Sequence, residues 1–165
     1  MALRYYEKMV YWLVKSLAIL SALGVMAMIG VTCFDIILRL PFINHPIPGA
    51  FDIVRMTGVI AIAGALPYTT AVKGHVAVEF LYHKLSHRGR TVLNIFVQMM
   101  SMGLFSFAAW QFVQYGIALK QSNQCFQTLE LPIFWMPYLM AISFGVVVLV
   151  ILYQFLNPNK ELIRL

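Results

Sequence analysis

Four long runs of uncharged, mostly apolar residues dominate the chain, and short segments that carry the charges separate them. The runs cover residues 16–34, 56–72, 91–119 and 131–159. A helix that crosses the hydrocarbon core of a bilayer needs about 20 residues, and at least about 17. The pattern therefore predicts an all-α integral membrane protein, a single membrane domain over residues 1–165 with four transmembrane helices. The predicted spans cover about residues 14–38, 53–72, 91–119 and 132–156.

Composition agrees with a membrane protein, because 61% of the residues are hydrophobic and only 11% are charged. Water-soluble domains carry about 25% charged residues. The first run follows basic residues, as a secretory signal does, but its apolar character continues to Leu38. This exceeds the apolar region of a cleavable signal, so a retained helix is favoured over a removed one.

The lysines and arginines predict the orientation, since short loops that carry them stay on the cytoplasmic side. Nine of them lie in the N-terminal segment, the connection between the second and third spans, and the C-terminal tail. Both termini are therefore predicted to be cytoplasmic. The net charge of +6 is accounted for by topology and does not indicate nucleic acid binding. The nine residues are Arg4, Lys8, Lys15, Lys73, Lys84, Arg88, Arg90, Lys160 and Arg164.

The cytoplasmic connection contains a helical pattern over about residues 76–87. A polar stripe recurs every four residues, and apolar residues occupy the other side, which is typical of a short amphipathic helix in the membrane interface. A zinc site is the alternative, because Glu and His one turn apart can share a metal. No second cluster of ligands lies in the cytoplasmic segments, which favours the interfacial helix. The polar stripe is His75, Glu79, His83 and His87, and the apolar side is Val78, Leu81, Tyr82 and Leu85.

Two pairs of opposite charges lie at the outer ends of the first two spans. Asp35 and Arg39 are four residues apart, and Asp52 and Arg55 are three residues apart, so each pair has the spacing of neighbours on a helix. Two interpretations stay open: the four residues contact another subunit, or each pair only neutralises its own charge.

Small and polar residues predict how the helices associate. In lipid, small side chains let helix backbones approach closely. The second span carries such residues beside a proline, Pro67, which removes a backbone donor and kinks the helix. Glutamines and serines of the third span, among them Gln111 and Gln114, are predicted to hydrogen-bond mostly within the bundle. The small residues of the second span are Gly58, Ala61, Gly64 and Ala65.

Several chemistries are disfavoured. No ionisable residue lies near the middle of a predicted span, where ion and proton pathways place them. The four histidines all fall in connections, which argues against haem held between two spans. Cys33 and Cys125 are predicted on the same outer side, as free thiols or, alternatively, as a disulfide. The sequence predicts no enzyme, no cofactor and no metal site.

An ordered series of segments resembles the small membrane subunit of TRAP (tripartite ATP-independent periplasmic) transporters, the DctQ-type small permease. The segments are "DIILRL", "PIPGAFD", "MTGVIAIAGALPYTTAV" and "KGHVAVEFLYHKL", which follow one another between residues 35 and 85. By position, Arg39 and Asp52 match the family's arginine and acidic residue beside the first outer connection, and Glu79 replaces an aspartate. The other matching positions are Gly74, His75, Val76, Val78 and Leu81.

The resemblance implies a non-catalytic scaffold in the bacterial inner membrane. Its partners would be membrane lipids, a large multi-span TRAP subunit that carries sodium ions and substrate by an elevator motion, and a periplasmic protein that delivers an organic acid. Two other functions stay open: a membrane anchor of a redox complex, which a haem absorption band would favour, and a small exporter that transports unaided.

Overall fold

The structure is a computed structural model that describes residues 2–40, 45–72 and 87–156. Within these residues the chain forms four α-helices, and the only strand-like feature is an isolated bridge between Cys125 and Pro132. All four helices are long and apolar enough to cross a membrane. This confirms the prediction of an all-α protein with four such helices. The helices are α1 (Ala2–Leu38), α2 (Ala50–Ala71), α3 (His87–Gln121) and α4 (Trp135–Leu156).

The predicted interfacial helix lies outside the described residues, apart from His87, with which α3 begins. The residues assigned to that helix or to the match before it, Gly74, His75, Val76, Val78, Glu79, Leu81, Tyr82 and Leu85, also lie outside them.

The helices do not pack in chain order. α1 packs mainly against α2, α2 also packs against α4, and α3 packs mainly against α4. α1 additionally reaches α4, so α1, α2 and α4 form a three-helix group and α3 is attached to its α4 side. None of the residues in the most apolar part of α3 is buried, whereas the corresponding part of α4 is nearly half buried.

The buried core lies where the N-terminal half of α1 meets the C-terminal halves of α2 and α4. Val10 and Val14 of α1 pack with Ala71 of α2 and with Val150 and Tyr153 of α4. The valines, the alanine and the ring of Tyr153 fill the space between the three helices. In lipid such packing, and not the expulsion of water, holds helices together. Most large apolar side chains of α1 and α3 instead face outward, toward the surrounding hydrocarbon.

Candidate functional site

The end of the bundle that holds the α1–α2 and α3–α4 connections contains the acidic residues Asp35 and Asp52, and each carboxylate binds one of these connections. Asp35 accepts a hydrogen bond from the Arg39 guanidinium at 2.7 Å, Nε to Oδ2. Its second oxygen, Oδ1, accepts the backbone N–H of Ile47 at 3.2 Å. Because Ile47 lies just before α2, Asp35 ties the end of α1 to the start of the next helix.

Asp52 performs the equivalent task for the connection between α3 and α4. Its side chain is buried, and Oδ2 accepts the backbone N–H groups of Thr128 at 3.1 Å and of Leu129 at 3.3 Å. Arg55 is exposed, whereas Asp52 is buried. Among the described residues the only ion pair is Asp35 with Arg39, so the structure does not bring Asp52 and Arg55 together.

The α3–α4 connection is a compact turn that presents those two N–H groups. The N–H of Phe126 bonds the carbonyl of Leu131 at 2.9 Å, and the buried ring of Phe126 anchors the turn. Glu130 has a φ of 52°, an uncommon value for a residue with a side chain. The turn is thus held in a strained shape, and Asp52 supplies charge-assisted hydrogen bonds that stabilise it.

Gly49 lies beside the same turn. Its φ is +79°, a left-handed conformation that glycine adopts readily and that strains any residue with a Cβ atom. A Cβ atom built on Gly49 would come within 2.9 Å of Cγ of Leu129. The segment before α2 therefore needs glycine at this position for both its backbone shape and its contact with the turn.

The four small residues predicted for helix packing differ in how closely they contact α1. Gly64 meets the backbone of α1, where a Cβ would overlap Leu17 O and lie 2.8 Å from Ser21 Cβ. Ala61 is buried against Gly24 of α1, and its carbonyl accepts the Ser21 hydroxyl at 2.6 Å.

The other two small residues contribute less to the contact between α1 and α2. Gly58 lies near Met28, whose sulfur would be 3.8 Å from an added Cβ. Ala65 is exposed.

The contact between α2 and α4 uses polar side chains that sequence reasoning did not single out. Ser143 donates to the carbonyl of Ala63, and Gln154 donates Nε2–H to the carbonyl of Thr70 at 2.8 Å. Pro67 offered a signal, because a proline frees the carbonyl four residues earlier, which is that of Ala63. That signal does not identify the helix from which the donor comes.

At the other end of the bundle, α1 and α4 are joined by tyrosines. Tyr6 donates its hydroxyl hydrogen to the carbonyl of Leu149 at 2.9 Å, and its ring centroid lies 6.3 Å from that of Tyr153. The three-helix group is therefore connected by side-chain hydrogen bonds between each pair of its helices.

Among the described residues, no group of three or more metal-ligating side chains converges. Cys33 and Cys125 are both exposed and unpaired.

Comparison with known proteins identifies the family. Residues 28–160 match the family described as "Tripartite ATP-independent periplasmic transporters, DctQ component". No curated protein and no solved structure gives a match to the chain. The match includes the end of α1, the α1–α2 and α3–α4 connections with the carboxylates that bind them, and the whole of α2, α3 and α4. The chain therefore belongs to the DctQ family, the small membrane permease component of TRAP transporters, and is a multi-pass membrane protein.

Proposed function

We propose that this chain is a non-catalytic scaffold subunit of a sodium-coupled symporter, which imports an organic acid delivered by a periplasmic binding protein. In this proposal a large membrane subunit carries the substrate across by an elevator motion, and the DctQ chain enlarges the static part against which the carrier moves. Family membership supports the transporter component. The scaffold role has support from how the helices are joined.

One observation carries the scaffold proposal: α1, α2 and α4 are joined by hydrogen bonds from side chains to backbone carbonyls and by close glycine contacts. Ser21, Ser143 and Gln154 are all buried and all donate to carbonyls of α2. A side chain bound to a neighbouring backbone resists sliding of one helix along the other, because each shift breaks the bond in a medium without water. A group joined in this way is suited to a static part of a transporter.

The charged residues at the outer ends support the same role. Asp35 and Asp52 each bind backbone N–H groups of a connection, so both stabilise the shape of the chain. This role differs from both interpretations that the sequence left open, which were contact with another subunit and neutralisation of charge within each pair.

We place both termini in the cytoplasm and the two outer connections in the periplasm, with the chain in the bacterial inner membrane. The exposed thiol of Cys125 lies in the second outer connection and tests this orientation. In a Cys33→Ser variant, a membrane-impermeant maleimide applied to intact spheroplasts should label Cys125. A second variant that also carries Cys125→Ser and Lys8→Cys should react only after the membrane is opened. The reverse pattern would overturn the orientation.

The functional test is co-expression with the large multi-span subunit and the binding protein. The DctQ chain should co-purify with the large subunit. Proteoliposomes that contain both should take up an organic acid when sodium and the loaded binding protein are outside, with dicarboxylates, acidic sugars and keto acids as the substrates to compare. Proteoliposomes that contain the DctQ chain alone should show no uptake. Uptake by the DctQ chain alone, or a haem absorption band in the purified chain, would contradict the scaffold proposal.

A further inference from the structure

Both acidic residues that could contact another subunit, and the small residues of the first two helices, have contacts inside the chain. Gly24 and Gly64 bring α1 and α2 together, and the carboxylates of Asp35 and Asp52 bind the connections. Arg55 remains exposed, but it lies near the start of α2, where lipid headgroups and water can reach a long side chain. None of these residues requires another protein.

The face of α3 that points away from α4 differs from the other outward faces. One stripe of α3 faces α4: Phe105, Ala109, Phe112 and Gly116 lie against Tyr138 and Phe144 or line a shallow groove beside them, together with Trp110 and Val113. A second stripe follows the same spacing two residues later, which is about 200° around the helix and thus the opposite face. It consists of Phe107, Gln111, Gln114 and Ala118, all of them exposed.

The two glutamines of this stripe lie within the hydrocarbon. The uncharged run of α3 covers residues 91–119, so its middle is Phe105. At 1.5 Å per residue, Gln111 lies about 9 Å and Gln114 about 13.5 Å from that level, along the helix axis. Half the hydrocarbon thickness is about 15 Å, so both depths fall inside it.

Primary amides at this depth need hydrogen-bond partners, because lipid chains offer none and burying an unbonded amide costs free energy. Neither Gln111 nor Gln114 makes a side-chain hydrogen bond to any described residue, so the expectation that such residues bond within the bundle does not apply to these two. Gln154 of α4 shows how the chain satisfies a glutamine at a helix contact, by donation to a backbone carbonyl of the neighbouring helix. Within residues 2–40, 45–72 and 87–156, the outward glutamines of α3 have no such neighbour.

We propose that the stripe of Phe107, Gln111, Gln114 and Ala118 is the surface on which the large membrane subunit docks. Gln111 and Gln114 donate to carbonyl or side-chain oxygens of a helix in that subunit, and Phe107 packs beside them. The α1 face is the contrasting case, since its outward residues, such as Leu23, Met26 and Phe34, are apolar and suited to lipid. This inference rests on the proposed function, which supplies the partner.

Site-specific photo-cross-linking in the co-expressed complex tests the surface. A benzophenone amino acid that replaces Phe107 should cross-link to the large subunit, and the same replacement of Phe34, an exposed phenylalanine of α1, should not. Cross-linking from Phe34 alone, from both equally, or from neither in a complex that still co-purifies would overturn the α3 assignment and leave the scaffold proposal intact. A cross-link from Phe107 to a second copy of this chain would also overturn it. Failure of the two subunits to co-purify would overturn both proposals.

Apolar replacements test the two glutamines. Gln111→Leu and Gln114→Leu should each weaken association with the large subunit about three-fold, the effect of one average side-chain hydrogen bond of about 0.6 kcal/mol in a membrane protein. Their effect on the unfolding of the isolated chain should be small. The control is Ile29→Leu on the exposed face of α1, which should leave association unchanged. Undiminished association of the double glutamine variant would overturn the assigned role of the amides.

Discussion

Ser143 of α4 donates its hydroxyl hydrogen to the backbone carbonyl of Ala63 in α2. Pro67 has no N–H, so this carbonyl lacks the donor that the helix would otherwise provide. Both Ala63 and Ser143 are buried at about 1% exposure, and no water can replace the missing bond there. The carbonyl that Pro67 leaves without a donor in α2 is thus the acceptor of a hydrogen bond from α4.

A double-mutant cycle tests this coupling. Ser143→Ala should lower the free energy of unfolding by about 1 kcal/mol, within the range for membrane side-chain hydrogen bonds. In a Pro67→Ala background the cost should be smaller, because the restored N–H of residue 67 can bond the carbonyl of Ala63. Unfolding in mixed micelles measures both values. Ser16→Ala is the control, since Ser16 is exposed and bonds only within α1. Equal costs in the two backgrounds would show that Pro67 and Ser143 are independent.

Substitution of Gly64 should separate α1 from α2. The added methyl of Gly64→Ala would meet Leu17 O and Ser21, both in the backbone-to-backbone contact of the two helices, and neither can rotate away. Overpacking of this kind costs about 1–3 kcal/mol. Gly30→Ala in α1 is the matched control, because nothing lies within 4 Å of the added Cβ. Unfolding in mixed micelles should show a loss for the first variant and little change for the second. Equal stability of the two variants would contradict the close contact at Gly64.

Asp52→Asn tests whether the carboxylate holds the α3–α4 connection. The charge-assisted bonds to Thr128 and Leu129 are lost or weakened, and hydrogen bonds to charged groups contribute about 1.5–3 kcal/mol. The amides of Thr128 and Leu129 should then exchange with solvent at least about ten-fold faster, as measured by hydrogen exchange in micelles.

Arg55→Gln is the control for the alternative pairing of Asp52. The structure predicts no change at Thr128 and Leu129 in this variant, because Arg55 does not contact the carboxylate. Faster exchange of these two amides in Arg55→Gln would indicate that Asp52 depends on the arginine after all.

Local pattern predicted the helices and only part of the site. The bilayer selects spans by length and apolarity, so four helices follow from runs of uncharged residues. The contact of Asp35 with Arg39 follows from helical spacing within one element. The partners of Asp52 lie more than 70 residues away along the chain, and nothing near Asp52 in the sequence indicates them.

The sequence also did not predict which helices pack together, because hydropathy does not specify which apolar faces meet. Only the structure shows that, of the three other described helices, α3 packs mainly against α4. The glutamines of α3 therefore had the same sequence signature as glutamines that join helices within a bundle. Ser143 had no distinctive signature at all, since a single serine in an apolar span is common where helices pack.

Gly49→Ala tests two separate reasons for glycine before α2: the left-handed backbone and the close contact with Leu129. At a φ of +79° any side chain is strained, at a cost of about 1–2 kcal/mol, and the new methyl also collides with the side chain of Leu129. Leu129→Ala removes the collision, but the strain of the left-handed backbone at residue 49 remains. The cost of Gly49→Ala should therefore fall in the Leu129→Ala background but remain at about 1 kcal/mol or more, because the backbone strain persists. Unfolding of the unaltered protein, the two single variants and the double variant in micelles measures both contributions. A vanishing cost in that background would mean that the left-handed backbone contributes nothing, and an undiminished cost would mean that the contact with Leu129 contributes nothing.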